Sequence, residues 1–272
     1  MDLAETTGDG GSMTLHAQQI SLSIGKKQIL KDVTFAARAG ALSAIVGPNG
    51  SGKSTLLKAL VAELPSEGQI SLNGRLLQDY AAWELASLRG VLPQAAHLAF
   101  PFTVLEVVRL GLMAGPEAQN TRLPFEALAR VDLEGYAGRS YQELSGGEQQ
   151  RVQLARVLAQ VGAPMREGQP CWLFLDEPVS SLDIAHQLTV MDIARQFADG
   201  GGGVVAVMHD LNLTAMYADH VHVMTGGETA GAGTVADVLT DQRLSEVYGC
   251  DLRIGKVPAD AAVFVLPQTA RA

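Results

Sequence analysis

Cysteine is nearly absent. Cys171 and Cys250 are too few and too far apart for a disulfide framework or a zinc ribbon, and both read as packed thiols. There is no run of roughly 18 uninterrupted apolar residues, the length a helix needs to cross a bilayer, so the chain cannot itself be a pore. Residues 1–12 are acidic and glycine-rich and lack the basic start and apolar stretch of a secretory signal. A disordered tail is expected there, with the fold starting near Met13. Positive charge is scarce too: 20 Lys and Arg against 29 Asp and Glu leave a net charge of −9, which argues against nucleic acid as a partner. No internal repeat and no long heptad-rich arm is visible. What remains is 272 residues, 47% of them hydrophobic, enough for one large α/β domain with a substantial core.

The chemistry begins at Gly47, Pro48, Asn49, Gly50, Ser51, Gly52, Lys53 and Ser54, which fit the G-x-x-x-x-G-K-[ST] loop. Leu42, Ala44, Ile45 and Val46 precede it as a buried strand, and Thr55 to Leu60 follow as a helix, the context the loop requires. Glycines let backbone N–H groups turn inward around phosphate oxygens, Lys53 adds a point charge, and the Ser54 hydroxyl suits magnesium.

A second strand, Trp172-Leu173-Phe174-Leu175, ends in Asp176 and Glu177. Neighbouring strand residues point to opposite sides, so the two acids need not share a job. Between the loop and this strand lies Leu144-Ser145-Gly146-Gly147-Glu148-Gln149-Gln150-Arg151. Here Ser145, Gly146 and Gly147 expose N–H groups where a helix starts, a place that can hold an anion. The helix runs to Gln160, with Leu154, Ala155, Leu158 and Val161 near one apolar face. Alone, that octapeptide is also an ordinary capped helix junction. Three smaller pieces follow the same order: Gln94 after Val91-Leu92-Pro93, Asp183 in Ser181-Leu182-Asp183, and His209 after the apolar strand Val204 to Met208.

Along the chain, Ile20, Leu22 and Ile24 alternate as a half-buried strand, Val33 and Phe35 continue the pattern, and Asn73-Gly74 after Ile70-Ser71-Leu72 signals a hairpin. Residues 95–160 turn helical, with candidate helices over 104–110 and 124–130. Strands at 172–175, 204–208 and 221–224 alternate with helices, which predicts a largely parallel sheet behind the loop. Residues 162–169, rich in Gly, Pro and charge, read as an exposed loop. His220 and His222 share one strand face, where packing outweighs ligation for so short a pair.

Together these motifs resemble those of ABC transporter ATP-binding subunits, over nearly the whole chain after Met13. The resemblance implies an ABC-type P-loop NTPase: a RecA-like parallel-sheet core, an antiparallel β lobe and a helical lobe over about 95–160 that carries the signature, in one domain over 13–272. It implies ATP and Mg2+ as cofactors, nucleotide contacts from Gly47 to Thr55, and magnesium near Ser54, Gln94 and Asp176. It makes Glu177 the general base, His209 the contact to the terminal phosphate, Gln94 a catalytic residue that reaches the magnesium and attacking water and links them to the membrane subunit, and Asp183 part of the D-loop. It also implies a head-to-tail homodimer in which Ser145, Gly146 and Gly147 of one chain close over the ATP of the other. Two transmembrane permease subunits would hold it at the cytoplasmic face of the inner membrane.

Within that family, Leu92 to Val108 around Phe100-Pro101-Phe102, Met208 to Asp219, and the tail Leu244-Ser245-Glu246-Val247-Tyr248-Gly249 resemble heme-import ATPases. A periplasmic heme-binding protein would then be an indirect partner. The same motor serving ferric siderophore or cobalamin import is one alternative. A soluble ABC ATPase of DNA repair or translation is another, against which stand the missing arms and the single cassette. The chain departs from the pattern at Ile24, where an aromatic would stack on adenine, at Gly111-Leu112 in place of Gly-Arg, and at Pro178-Val179 in place of Pro-Thr.

Overall fold

The computed structural model describes residues 14–94, 98, 100–114, 118–256, 263 and 265–270. The expected tail over 1–12 and Ala95, Ala96, His97 and Ala99 of the heme-importer-like stretch lie outside these. Strands β1 (Thr14–Ile24) and β2 (Lys27–Arg38) form a long hairpin, and β3 (Leu42–Val46) leads through the P-loop into α1 (Lys53–Leu60). A second hairpin, β4 (Glu67–Leu72) and β5 (Arg75–Leu76), precedes α2 (Ala82–Leu88) and β6 (Arg89–Leu92). Helices α3 (Val104–Ala114), α4 (Leu123–Arg130) and α5 (Gly146–Val161) follow, then the short strands β7 (Met165–Arg166) and β8 (Gln169–Pro170). The chain alternates through β9 (Trp172–Asp176), α6 (Ile184–Asp199), β10 (Gly203–Val207), α7 (Leu211–Tyr217) and β11 (His220–Thr225). It returns along β12 (Glu228–Thr234) to α8 (Val235–Val238) and α9 (Asp241–Tyr248).

One sheet has the order β12-β11-β3-β10-β9-β6, parallel throughout except for the antiparallel edge strand β12. The other is antiparallel, in the order β2-β1-β4-β5. Every residue of β3, β9 and β10 is buried, as expected of parallel strands covered on both faces. Alternation sorts their side chains: Leu42, Ala44, Leu173, Leu175, Val204 and Ala206 enter the core shared with the helices. Ile45, Trp172, Phe174, Val205 and Val207 enter a second core under the antiparallel sheet and α1. The parallel sheet is therefore a partition between two cores, and the loops at its C-terminal rim are fixed from both sides.

Asn73 and Gly74 both have positive φ, 50° and 79°, the geometry of a two-residue hairpin turn, and β4 and β5 pair across it. Glu167 and Gly168 take the same geometry, at 48° and 78°. The stretch expected as a loop before β9 is thus a small hairpin of β7 and β8. Helix α5 is buried around most of its circumference rather than along one stripe, because α2, α3, α4 and β6 all pack on it. At its crossing with α3, a Cβ on Gly111 would sit 2.1 Å from the Arg156 carbonyl oxygen, so the glycine sets that close approach.

Cys171 is buried, and burial pushes its thiol up to about 11, but Cys250 is exposed and is not the packed thiol the sequence suggested. It follows the C-cap Gly249, where the chain leaves α9 at the surface. His222 is packed, edge-on to Phe35 and bonded through Nε2 to Thr229 Oγ1 at 3.1 Å. Among the described residues no helix is long and apolar enough to cross a membrane.

Candidate nucleotide site

Parallel register brings the ends of β3, β9 and β10 together: Val207 pairs with Ile45 on one side and Asp176 on the other. The residues just past those ends are Gly47, Glu177 and His209. Such a rim is where open α/β sheets place ligands.

The P-loop is held at both ends and open in the middle. Gly47, Gly50 and Gly52 all have positive φ, at 146°, 78° and 99°. A Cβ on Gly47 would lie 2.1 Å from the Met224 carbonyl oxygen, and one on Gly52 would lie 3.0 Å from Leu30 Cδ2, whereas Gly50 has open space. Helix α1 starts at Gly52 with no side-chain cap and no acid in its first turn, which leaves its N-terminal N–H groups for an anion. The Ser51 hydroxyl is buried in the loop without a partner. Lys53 is buried and folds back, its Nζ donating to the carbonyls of Gly47 (2.9 Å) and Pro48 (3.1 Å). Burial lowers its pKa, and the charges of Glu177 and Asp176 oppose that shift.

Opposite Lys53, Ser54 Oγ donates to Asp176 Oδ1 at 2.8 Å. Burial holds the Asp176 carboxyl above the usual range despite the Ser54 hydrogen bond, and the neighbouring Glu177 adds to the rise. Glu177 has φ 52°, uncommon for a residue with a Cβ. Its N–H donates to the Val207 carbonyl at 3.2 Å, and its Oε1 lies 2.6 Å from His209 Nε2. Gln94 stands exposed two residues past β6, beside β9, outside these hydrogen bonds.

The signature forms the start of α5. Ser145 is its N-cap in a reciprocal box with Glu148: Glu148 N–H donates to Ser145 Oγ at 3.3 Å, and Ser145 N–H donates to Glu148 Oε2 at 2.8 Å. The Ser145 hydroxyl also donates to Glu148 Oε2, at 2.8 Å, and this bond together with the one from the Ser145 N–H holds the Glu148 carboxyl below its usual range. A Cβ on Gly146 would meet nothing within 4 Å, so that face is open, while one on Gly147 would lie 3.1 Å from Leu182 Cδ2 and from the Ser181 carbonyl. Asp183 caps α6, accepting the His186 N–H at 3.0 Å. Its sequence-predicted place at a nucleotide is not built within the single chain.

Two residues escaped the sequence reading. Gln150 Nε2 donates to the Glu177 carbonyl oxygen at 2.9 Å. Tyr248, on α9, stands beside the Gly47 N–H: burial raises its hydroxyl pKa, and that N–H opposes the rise. The tail bearing Tyr248 stood out only by resemblance, since no spacing rule ties a helix some 200 residues downstream to the P-loop.

A domain model described as "ABC transporter" matches residues 30–180, and the chain belongs to that family as an ATP-binding cassette. Its curated relatives narrow the description. The hemin import ATP-binding protein HmuV of Jannaschia sp. (strain CCS1) is 58% identical over 257 residues, 94% of this chain and 95% of that one. Its namesake in Roseobacter denitrificans is 56% identical over 258 residues, 95% and 99% of the two chains. Among solved structures, an ATP-binding cassette of an ABC transporter in its ADP conformation superposes with a TM-score of 0.73 at 23% identity, over 89% of this chain and 98% of that one. A dimeric bacterial ABC transporter cassette matches with a TM-score of 0.70 at 27% identity, over 81% and 98%.

Proposed function

We propose that this chain is the ATP-hydrolysing subunit of an importer that energises heme uptake. The observation that carries the motor half is the cluster at the sheet rim: Lys53 and the uncapped start of α1 face Asp176, Glu177 and His209 across the P-loop. The cargo half rests on relatives named for hemin import at more than half identity.

The phosphates of ATP would take the inward N–H groups of Gly47 to Thr55, and Lys53 would exchange its carbonyl acceptors for phosphate oxygens. Ser54 and Asp176, both hard oxygen donors and already 2.8 Å apart, fit magnesium, which favours one or two carboxylates with phosphate and water completing its shell. Bound there, the ion would offset the negative charge of the phosphates, with Gln94 reaching toward it from the end of β6. Glu177 would orient and deprotonate the attacking water, a role worth on the order of a hundred- to ten-thousand-fold in rate. His209, beside its carboxylate, would meet the terminal phosphate.

Ser145, Gly146 and Gly147 lie on α5, and the open face at Gly146 suits the nucleotide of a second chain. A head-to-tail dimer would complete two such sites, and one of the solved structures similar to this chain is described as a dimeric cassette. The dimer would sit on two permease subunits at the cytoplasmic face of the inner membrane, served indirectly by a periplasmic heme-binding protein.

Co-purification from detergent-solubilised membranes should bring a polytopic permease with this chain; nucleic acid or ribosomes in its place would sink the transporter reading. In the reconstituted transporter, heme-loaded binding protein should stimulate ATPase activity. Stimulation only by siderophore- or cobalamin-loaded proteins would reject heme.

A further inference from the structure

Gln150 lies one turn beyond the signature glycines, and its side chain crosses to the segment that carries Glu177. Its Nε2 donates to the Glu177 carbonyl oxygen at 2.9 Å, and the Ser180 N–H reaches the same oxygen at 3.3 Å. That carbonyl belongs to a residue held at φ 52°. A side-chain-bearing residue persists in that conformation only where its surroundings over-determine it. Gln150 is one of those restraints.

Gly147 touches the same segment. Residues three apart share a helix face, so Gly147 and Gln150 look the same way, and the space at Gly147 is closed by Ser181 and Leu182. The start of α5 therefore grips the 177–182 segment at two points, one steric and one polar.

The polar grip is costly. Gln150 Oε1 is buried without a partner, and a buried acceptor left unmade costs the full desolvation of that group. An apolar side chain of the same length would fill the space without that burden, so stability alone does not account for glutamine here.

We propose that Gln150 is a positioning residue that ties the signature end of α5 to the backbone of Glu177 in the same chain. Seating of the signature on the partner's nucleotide then sets the orientation of the base at the chain's own nucleotide. The two sites of the dimer are linked through one side-chain amide. This inference rests on the paired-site reading above.

Gln150→Met keeps length and volume but cannot donate, and Gln150→Glu keeps shape while losing the donor. Both should lower kcat for ATP about tenfold or more, with KM and the ATP affinity of the isolated chain held within about twofold. The thermal midpoint of Gln150→Met should be unchanged or higher, because the orphaned acceptor is gone. Wild-type kcat in either variant overturns the proposal, as does a loss of kcat matched by equal losses of affinity and thermal midpoint. The paired-site reading fails differently, through a Glu177→Gln protein that hydrolyses ATP normally or never dimerises with it. If Glu177→Gln traps the dimer while Gln150→Met turns over at full rate, only the role of Gln150 falls.

Discussion

His209 Nε2 and Glu177 Oε1 lie 2.6 Å apart, joining the second residue past β10 to the residue after β9 across the rim of the sheet. Glu177 thus has a fixed neighbour before any nucleotide arrives. Glu177→Gln should bind ATP and accumulate as an ATP-loaded dimer, seen by size exclusion, with turnover lowered at least a hundredfold. Hydrolysis at the wild-type rate would remove Glu177 from the role of base.

Asp176 and Glu177 are adjacent acids, and Asp176 is buried with a raised pKa. A carboxyl whose folded pKa exceeds its unfolded value lends stability at pH below the unfolded pKa, and that stability is lost as pH rises through the folded one. Asp176→Asn, which can still accept from Ser54, should therefore raise the thermal midpoint at neutral pH and abolish ATPase activity. The gain should shrink in acid below the carboxylate range. A gain independent of pH would mean that charge is not its source.

Burial lowers the pKa of His222 to about 4. A histidine depressed in the fold stabilises it above the unfolded pKa, and that contribution is lost as pH falls toward the folded value. Between pH 7 and pH 5 the wild type should lose about 2 kcal/mol from this residue. Chemical denaturation of His222→Gln at the two pH values should show that the loss is gone.

The Tyr248 hydroxyl places α9 beside the N–H of the first P-loop glycine. Tyr248→Phe removes the hydroxyl beside that N–H, a polar contact worth at most about 0.5–1.5 kcal/mol, and leaves the ring in place. ATP affinity should weaken by a factor of about 2 to 10, measured with a fluorescent nucleotide on the isolated chain. Unchanged affinity would show that the P-loop needs no support from α9.

The two thiols should separate cleanly. Cys250 is exposed, whereas Cys171 is buried with its pKa pushed to about 11. Under native conditions an alkylating reagent should modify one site, Cys250, with Cys171 reacting only after unfolding.

What the sequence made legible was whatever is encoded locally. The P-loop glycines, the apolar runs of β3, β9 and β10, and the Asn73-Gly74 turn each carry their own geometry within a few residues. The Glu167-Gly168 turn is the same device, hidden because the short flanking strands show no alternation. Gln150 and Tyr248 were illegible for another reason. Their partners, the Glu177 carbonyl and the Gly47 N–H, are backbone atoms 27 and about 200 residues away, and a backbone atom leaves no mark in a sequence. Gly111 belongs with them, since what forbids a Cβ there is the carbonyl of Arg156.

The chain has two tryptophans, and the fold has made them optical opposites. Trp83, on α2, is 73% exposed, while Trp172 is fully buried with its indole N–H on Asn73 Oδ1 at 3.0 Å. Trp172 opens the strand that ends at Asp176. An aqueous quencher should silence Trp83 and spare Trp172, so the residual blue-shifted emission would come from the strand that delivers the two acids. The protein carries a built-in, label-free reporter of that strand.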